Sequence, residues 1–433
     1  MSSKLSQEDI IRLLPINDLL YTRTAPASMV EERTQKKSYA EGGSGTTYKP
    51  GSHMIVNLQT GVEFIDPQQS FLVFDLKVEG SSDAFLSGSA LNLVRDVQIT
   101  SRSGIELDRL EGCNLFNYHR IKTKKSKYIE HNLNGLMIAT EGSDFTEFKE
   151  NARSVIPADT PVRVMIPLRY LSPIFDSDVL MPPHIARGLR VDCTLEALDT
   201  VFSVDNDGQT TDPADYVLSQ PYILADSYKM GNDVMAFINA NFASKDTGLV
   251  YEYSSIHTTN ASSSSGTGAV NIEVRRAVSM ALDAFMVSRV VGDIVDLKKD
   301  SFASIPYNAN DRYQWRVGSH YLPNVPVEGP VEGYAQYLYW ANKLRNEYEV
   351  SDDYTQFVGS SDASAGKINH STTKYCVALQ RNNILDQSGI IINNTQTLAV
   401  NATLATGSDR QNTVFLRHLR RAIAFLENVV LET

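Results

Sequence analysis

"YQWRVGSHYLPNVPVEGPVEGYAQYLYWANKL" runs from Tyr313 to Leu344. It opens with a strand-like stretch, is interrupted by Pro323, Pro326 and Pro330, and ends in an aromatic-rich helical segment. An earlier stretch, "LVRDVQITSRSGIELDRLEGCNLFNYHRI" (93–121), has the same order in shorter form. Each contains a strand, a Gly/Ser turn, a short extended piece, and a hydrophobic-Glu-Gly step into an aromatic helix. Leu110-Glu111-Gly112 aligns with Val331-Glu332-Gly333, and Tyr118 falls opposite Tyr339, at an offset of 221 residues, half the chain. The sequence therefore reads as two tandem copies of one β-sandwich, each of about 180–200 residues.

The rest of the chain fits that reading. Short alternating segments bounded by Gly, Pro and Asp mark strands at 53–61, 70–80, 91–104, 161–171, 188–198 and 220–230. "SPIFDSDVLMPP" (172–183) is too rich in proline for an interior strand. After a linking helix over 232–243, strands recur at 248–259, 270–292, 374–382 and 389–407, and in the last 20 residues. "NASSSSGTG" (260–268) and the polar stretch 349–372 read as exposed loops. Many short strands with polar loops indicate an all-β protein. The expected boundaries are an N-terminal arm and linker over 1–50, a first sandwich over 51–230 and a second over 231–433.

In the arm, Ser6 and Asp9 resemble a helix start, with Ile10, Leu13 and Leu14 on one face before Pro15 stops it. Seven basic and six acidic residues precede residue 51, so the arm has almost no net charge. It reads either as a protein-contact arm or as a frayed tail. Tyr334, Tyr337, Leu338, Tyr339 and Trp340 form the aromatic patch of the second hairpin–helix stretch. That patch either packs on its own domain or shares part of its surface with a neighbouring subunit. The prolines before it are expected to end a strand and block edge pairing.

Composition excludes several functions. The 433 residues carry a net charge of −11 with 42% hydrophobic content, which suits large cores and argues against a general nucleic-acid binder. Cys113, Cys193 and Cys376 are far apart and form no CxxC pair, so no disulfide framework is expected. No apolar run is long enough to span a membrane, and the N-terminus lacks a signal-peptide pattern. No His cluster has metal-ligand spacing, and no P-loop or nucleophile-elbow motif occurs, so neither cofactor nor catalytic residues are expected. "DNDGQTTD" (205–212) lacks the register of a calcium loop. "KTKKSK" (122–127) is a solvated helix end or a local anionic contact. Carbohydrate binding or cleavage on a β-sandwich remains the alternative reading, although Trp315 and Trp340 are the only tryptophans available to stack sugars.

"YQWRVGSHYLPNVPVEG" (313–329), "LVRDVQITSRSGIELDRLEGCNLFNY" (93–118) and "VMIPLRYLSPIFDSDVLMPPHIARGLRVDCTLE" (164–196) resemble the double jelly-roll major capsid proteins of small eukaryotic dsDNA viruses: polinton-like viruses, adintoviruses and virophages. The resemblance covers most of residues 50–433. It implies two tandem eight-stranded antiparallel jelly rolls with short inserted helices. It implies a non-enzymatic, self-assembling protein of the virion, made in the cytoplasm or nucleus of the host cell. Its partners would be two further copies in a pseudo-hexameric trimer, then neighbouring capsomers and minor capsid or penton proteins. The arm would face inward, where it could meet an inner membrane. Tyr334, Tyr337, Trp340, Ile10, Leu13 and Leu14 are the expected subunit-interface residues.

Overall fold

Alternation builds the strands. In Ala269–Val274, Val270, Ile272 and Val274 are buried while Ala269, Asn271 and Glu273 are exposed, the two-residue period of a sheet with one covered face. The computed structural model describes residues 30–432 apart from 44, 82–83, 88, 123–152, 204–212, 241–247, 267, 298–300, 306, 342–374, 380–389, 394–395, 406 and 426–428.

The first lobe holds eight main strands: β1 (Val30–Tyr39), β2 (His53–Asn57), β3 (Phe64–Glu79), β4 (Val94–Thr100), β5 (Glu106–Leu110), β6 (Val162–Pro167), β7 (Arg190–Leu195) and β8 (Asp215–Met230). They form two antiparallel sheets, ordered β1-β8-β3-β6 and β2-β7-β4-β5. The second lobe repeats the set: β9 (Leu249–Ser263), β10 (Ala269–Val274), β11 (Val278–Val290), β12 (Arg312–Val317), β13 (His320–Glu328), β14 (Tyr375–Ala378), β15 (Leu398–Thr403) and β16 (Arg410–Ala424). Its sheets are ordered β9-β16-β11-β14 and β10-β15-β12-β13. Adding eight to each strand number of one lobe gives the order of the other. Two four-stranded sheets with this crossed order are the double Greek key of a jelly roll. Short strands extend them, among them Val429–Glu432 beside β16. Three helices matter here: α1 (Cys113–Lys122), α2 (Asn232–Ile238), which joins the lobes, and α3 (Gly329–Trp340).

The structure corrects several expectations. Residues 30–39, assigned to the arm, are the first strand of the first lobe and pair with β8 from Val30↔Met230 to Tyr39↔Tyr222. The polar sequence VEERTQKKSY hides the strand because it forms a sheet edge, where charges discourage pairing with other chains. Residues 260–263, expected in an exposed loop, instead extend β9, which pairs with β16 along its full length. Pro323 and Pro326 do not end a strand. They lie inside β13, an edge strand, where its ladder with β12 shifts between Tyr313 and Trp315. Prolines are tolerated in such irregular edge stretches because no ladder donor is lost. Gln314 donates to the carbonyls of Pro323 and Asn324 at 2.9 and 3.1 Å. Pro330 opens α3, in the first helical turn where a missing N–H costs nothing.

The repeat is real, but its register is one helical turn shorter. The step into α1 is Gly112 with φ +69°, and the step into α3 is Gly329, also with φ +69°. Both turns need a left-handed residue, which glycine adopts without strain. The counterpart of Leu110-Glu111-Gly112 is therefore Val327-Glu328-Gly329, not Val331-Glu332-Gly333. The triplet Val-Glu-Gly occurs twice in succession, and the second occurrence lies within α3. Gly333 is small for another reason: a Cβ there would stand 3.0 Å from the Tyr307 ring.

Candidate functional site at the lobe faces

The two hairpin–helix units meet different surroundings. The unit of the first lobe, β4–β5–α1, is covered by the β9-β16-β11 side of the second lobe. β5 ends its sheet and β9 ends another, and the two edges abut. Side chains of the second lobe satisfy carbonyls of the first. The Tyr253 hydroxyl donates to Leu107 O at 2.5 Å, Arg420 donates to the same oxygen at 3.0 Å, and Thr258 donates to Glu111 O at 2.7 Å. Tyr251 donates to Ile174 O at 2.8 Å. A buried carbonyl without a donor costs free energy, so these bonds seal an edge the sheet leaves open.

Asp108 sits at the centre of this seam and is buried. Ser255 of the second lobe donates to it at 2.6 Å, Ser172 of the first also donates to it, and the Arg420 guanidinium lies 3.9 Å away. Burial raises the Asp108 pKa; the two hydroxyls and Arg420 oppose the rise. Above it, the Phe116 ring of α1 lies 5.8 Å from Phe285 and 5.5 Å from Phe415. Tyr118 lies 5.6 Å from Phe302. Such aromatic pairs add about 0.5–1.5 kcal/mol each beyond the area they bury. A cavity of about 290 Å³ beside Phe116 is lined by two ion pairs, Arg120–Asp176 in the first lobe and Arg417–Asp283 in the second.

The unit of the second lobe, β12–β13–α3, has no such cover among the described residues. Val325 is 72% exposed, Val331 70%, Tyr339 53% and Tyr321 43%. Of the expected interface residues, Tyr337 is fully buried in its own lobe, stacked 6.2 Å from Tyr334 and 6.1 Å from Trp340. Tyr334 and Trp340 are half-buried, and Trp340 packs edge-on against Phe285 at 5.1 Å. Ile10, Leu13 and Leu14 lie outside the described residues, as do the loop 349–372 and Asp205–Asp212. The exposed apolar residues of β13 and α3 were not singled out from sequence, apart from Tyr339. The interruption by Pro323 and Pro326 could have flagged them, since it removes the alternation that marks a covered strand.

Among the described residues no arrangement for catalysis stands out. A cleft between the lobes, of about 570 Å³, carries several carboxylates. Each is engaged: Asp192 with His53 at 3.1 Å, Asp96 with Arg95 at 2.8 Å, Glu111 with Arg109 at 3.2 Å, and Glu196 with Asn114 at 2.8 Å. Among the described residues, no cluster of three His, Cys, Asp or Glu could hold a metal. The three cysteines are buried and form no disulfide among the described residues, and burial pushes the Cys193 thiol up to about 12. Among the described residues no helix is long and apolar enough to cross a membrane.

The sequence matches no protein-family model and no curated protein. Solved structures do match over nearly the whole chain. The Faustovirus major capsid protein superposes with a TM-score of 0.60 at 8% identity, covering 97% of this chain and 94% of that one. PBCV-1 VP54, fitted into a reconstruction of the virophage Sputnik, gives 0.60 at 11% identity over 95% and 99%. The mavirus major capsid protein gives 0.55 at 11% identity over 100% and 96%. The chain is a double jelly roll. At these identities the likeness is one of fold, and it agrees with the strand orders found independently in each lobe. The expected architecture of this double jelly roll, two tandem eight-stranded sandwiches with short inserted helices, is borne out.

Proposed function

We propose that this double jelly roll is a major capsid protein, three copies of which close into a six-lobed, pseudo-hexagonal unit that tiles the icosahedral shell of a dsDNA virus. One observation carries the reading: among the described residues, the same hairpin–helix unit is covered in the first lobe and open in the second. The receiving surface shows the converse pattern. The β9-β16-β11 face of the second lobe is occupied by α1, whereas its counterpart on the first lobe, β1-β8-β3, is not occupied by another element among the described residues. There Tyr39 is 47% exposed and packs 5.6 Å from Tyr222, with Lys37 over the Tyr222 ring at 4.8 Å.

An open donor face and an open acceptor face on one chain make a head-to-tail contact. A ring of six lobes built from such contacts contains three chains. Aromatic residues with Val at the centre suit such an interface. Similar folds carried by the Faustovirus and mavirus major capsid proteins support the same role. The function is structural rather than enzymatic. Minor shell or penton proteins would join these units at their margins. Light scattering on the purified protein, followed by negative-stain microscopy of the same fraction, tests the reading. The expected result is a trimer with a hexagonal outline. A monomer that persists at high concentration would count decisively against it.

A further inference from the structure

We propose that residues Glu8–Leu14 of the chain's own N-terminal segment seat in the cleft between the two lobes, next to α2. This inference does not rest on the assembly reading. The cleft has a volume of about 560 Å³ and two kinds of lining. Val62, Met235, Phe425 and Val429 supply its apolar lining, and Val62 is 61% exposed. Arg102 and Arg187 supply its cations. The Arg102 stem runs so close over Gly188 that a Cβ on Gly188 would stand 3.3 Å from it, which brings Arg102 next to Arg187. Both arginines are exposed, and neither guanidinium has a hydrogen bond or ion pair among the described residues.

The N-terminal segment fits this lining. Glu8 and Asp9 supply two adjacent carboxylates, which planar guanidinium groups bind well. Ile10, Leu13 and Leu14 follow at the i, i+3, i+4 spacing that puts three side chains on one helical face. Acidic residues followed at once by an apolar stripe are what a cleft lined by cations and by Val, Met and Phe would select.

The point of departure fits as well. Val30 pairs with Met230. Met230 leads through Gly231 into α2, whose Met235 lines the cleft. The segment before Val30 thus leaves the fold beside the cleft. Fifteen residues lie between Leu14 and Val30, a reach of up to roughly 50 Å at 3.3 Å per residue.

Hydrogen exchange on the full-length protein tests the seat. Residues 8–14 should exchange at least tenfold slower than an unstructured peptide of the same sequence. Arg102→Glu with Arg187→Glu should abolish that protection. Adding Glu8→Arg and Asp9→Arg, which alter nothing in the described lobes, should restore it. A photo-cross-linker at position 13 should join Met235, Phe425 or Val429 of the same copy. Fast exchange in the wild type, or protection indifferent to the charge reversal, would overturn the proposal. Cross-links joining isotopically labelled to unlabelled copies would also overturn the intrachain seat, in favour of a neighbouring copy as host.

Discussion

α1 and α3 enter through the same left-handed glycine step and follow the same kind of hairpin, yet almost every residue of α1 is buried and most of α3 is not. The difference lies in what covers them. α1 has Phe285 and Phe415 of the other lobe over it, whereas α3 ends in a face that no other described residue covers. Equal local structure with unequal surroundings shows that the repeat is complete as a fold and incomplete as a set of contacts.

The comparison can be broken most forcefully at Phe116. Phe116→Ala removes a ring held between Phe285 and Phe415 and should cost about 3–5 kcal/mol. Denaturant titration should show it, and the lobes should become separable in limited proteolysis. A loss below 1 kcal/mol would mean that the seam contributes little to folding.

A smaller effect comes from pH. His418 on β16, beside the seam residues Arg420 and Ser255, is buried. Burial lowers its pKa to about 4, with Arg420, Arg276 and His257 adding to the shift against one opposing backbone hydrogen bond. The folded protein then binds fewer protons than the unfolded chain between the ordinary His value of about 6.5 and about 4. Stability should fall across that window as pH drops, by roughly 3 kcal/mol from this residue. Asp108 acts in the opposite sense: a raised carboxyl pKa stabilises the fold at low pH and loses that effect as pH rises through it. His418→Leu should flatten the acid limb of a stability–pH profile. An unchanged limb would place the acid sensitivity elsewhere.

The least effect on folding and the sharpest test of the contrast come from the open face. Val325→Ser with Tyr339→Ser should change the stability of the isolated chain by no more than about 0.5 kcal/mol. The same pair should weaken self-association at least tenfold, read by sedimentation. Unchanged self-association of the variant would show that α3 and β13 take no part in the contact between copies. Tyr337→Ser is no substitute, because Tyr337 belongs to the core of its own lobe.

Much of the architecture was legible in the sequence. Period-two alternation exposed most inner strands, and the repeated strand–turn–helix order exposed the duplication. β1 was not legible, because an edge strand such as VEERTQKKSY trades alternation for charge. The repeat was matched one turn out because two Val-Glu-Gly triplets stand four residues apart. The seam could not be read at all: Leu107 and Arg420, which share a hydrogen bond, are 313 positions apart. The aromatic patch of α3 was visible as composition, but only the fold separates buried Tyr337 from exposed Tyr339.

In each lobe the first strand lies beside the last. Arg33 of β1 bonds Asp226 of β8 across 193 positions, and Glu252 of β9 meets Arg421 of β16 across 169. On the ribosome this sets a timetable. β1 waits, polar and unpaired, until residue 230 has been made, and only then can the first sandwich close. β9, with Tyr251 and Tyr253 unsheltered, waits in turn for the final stretch of the chain.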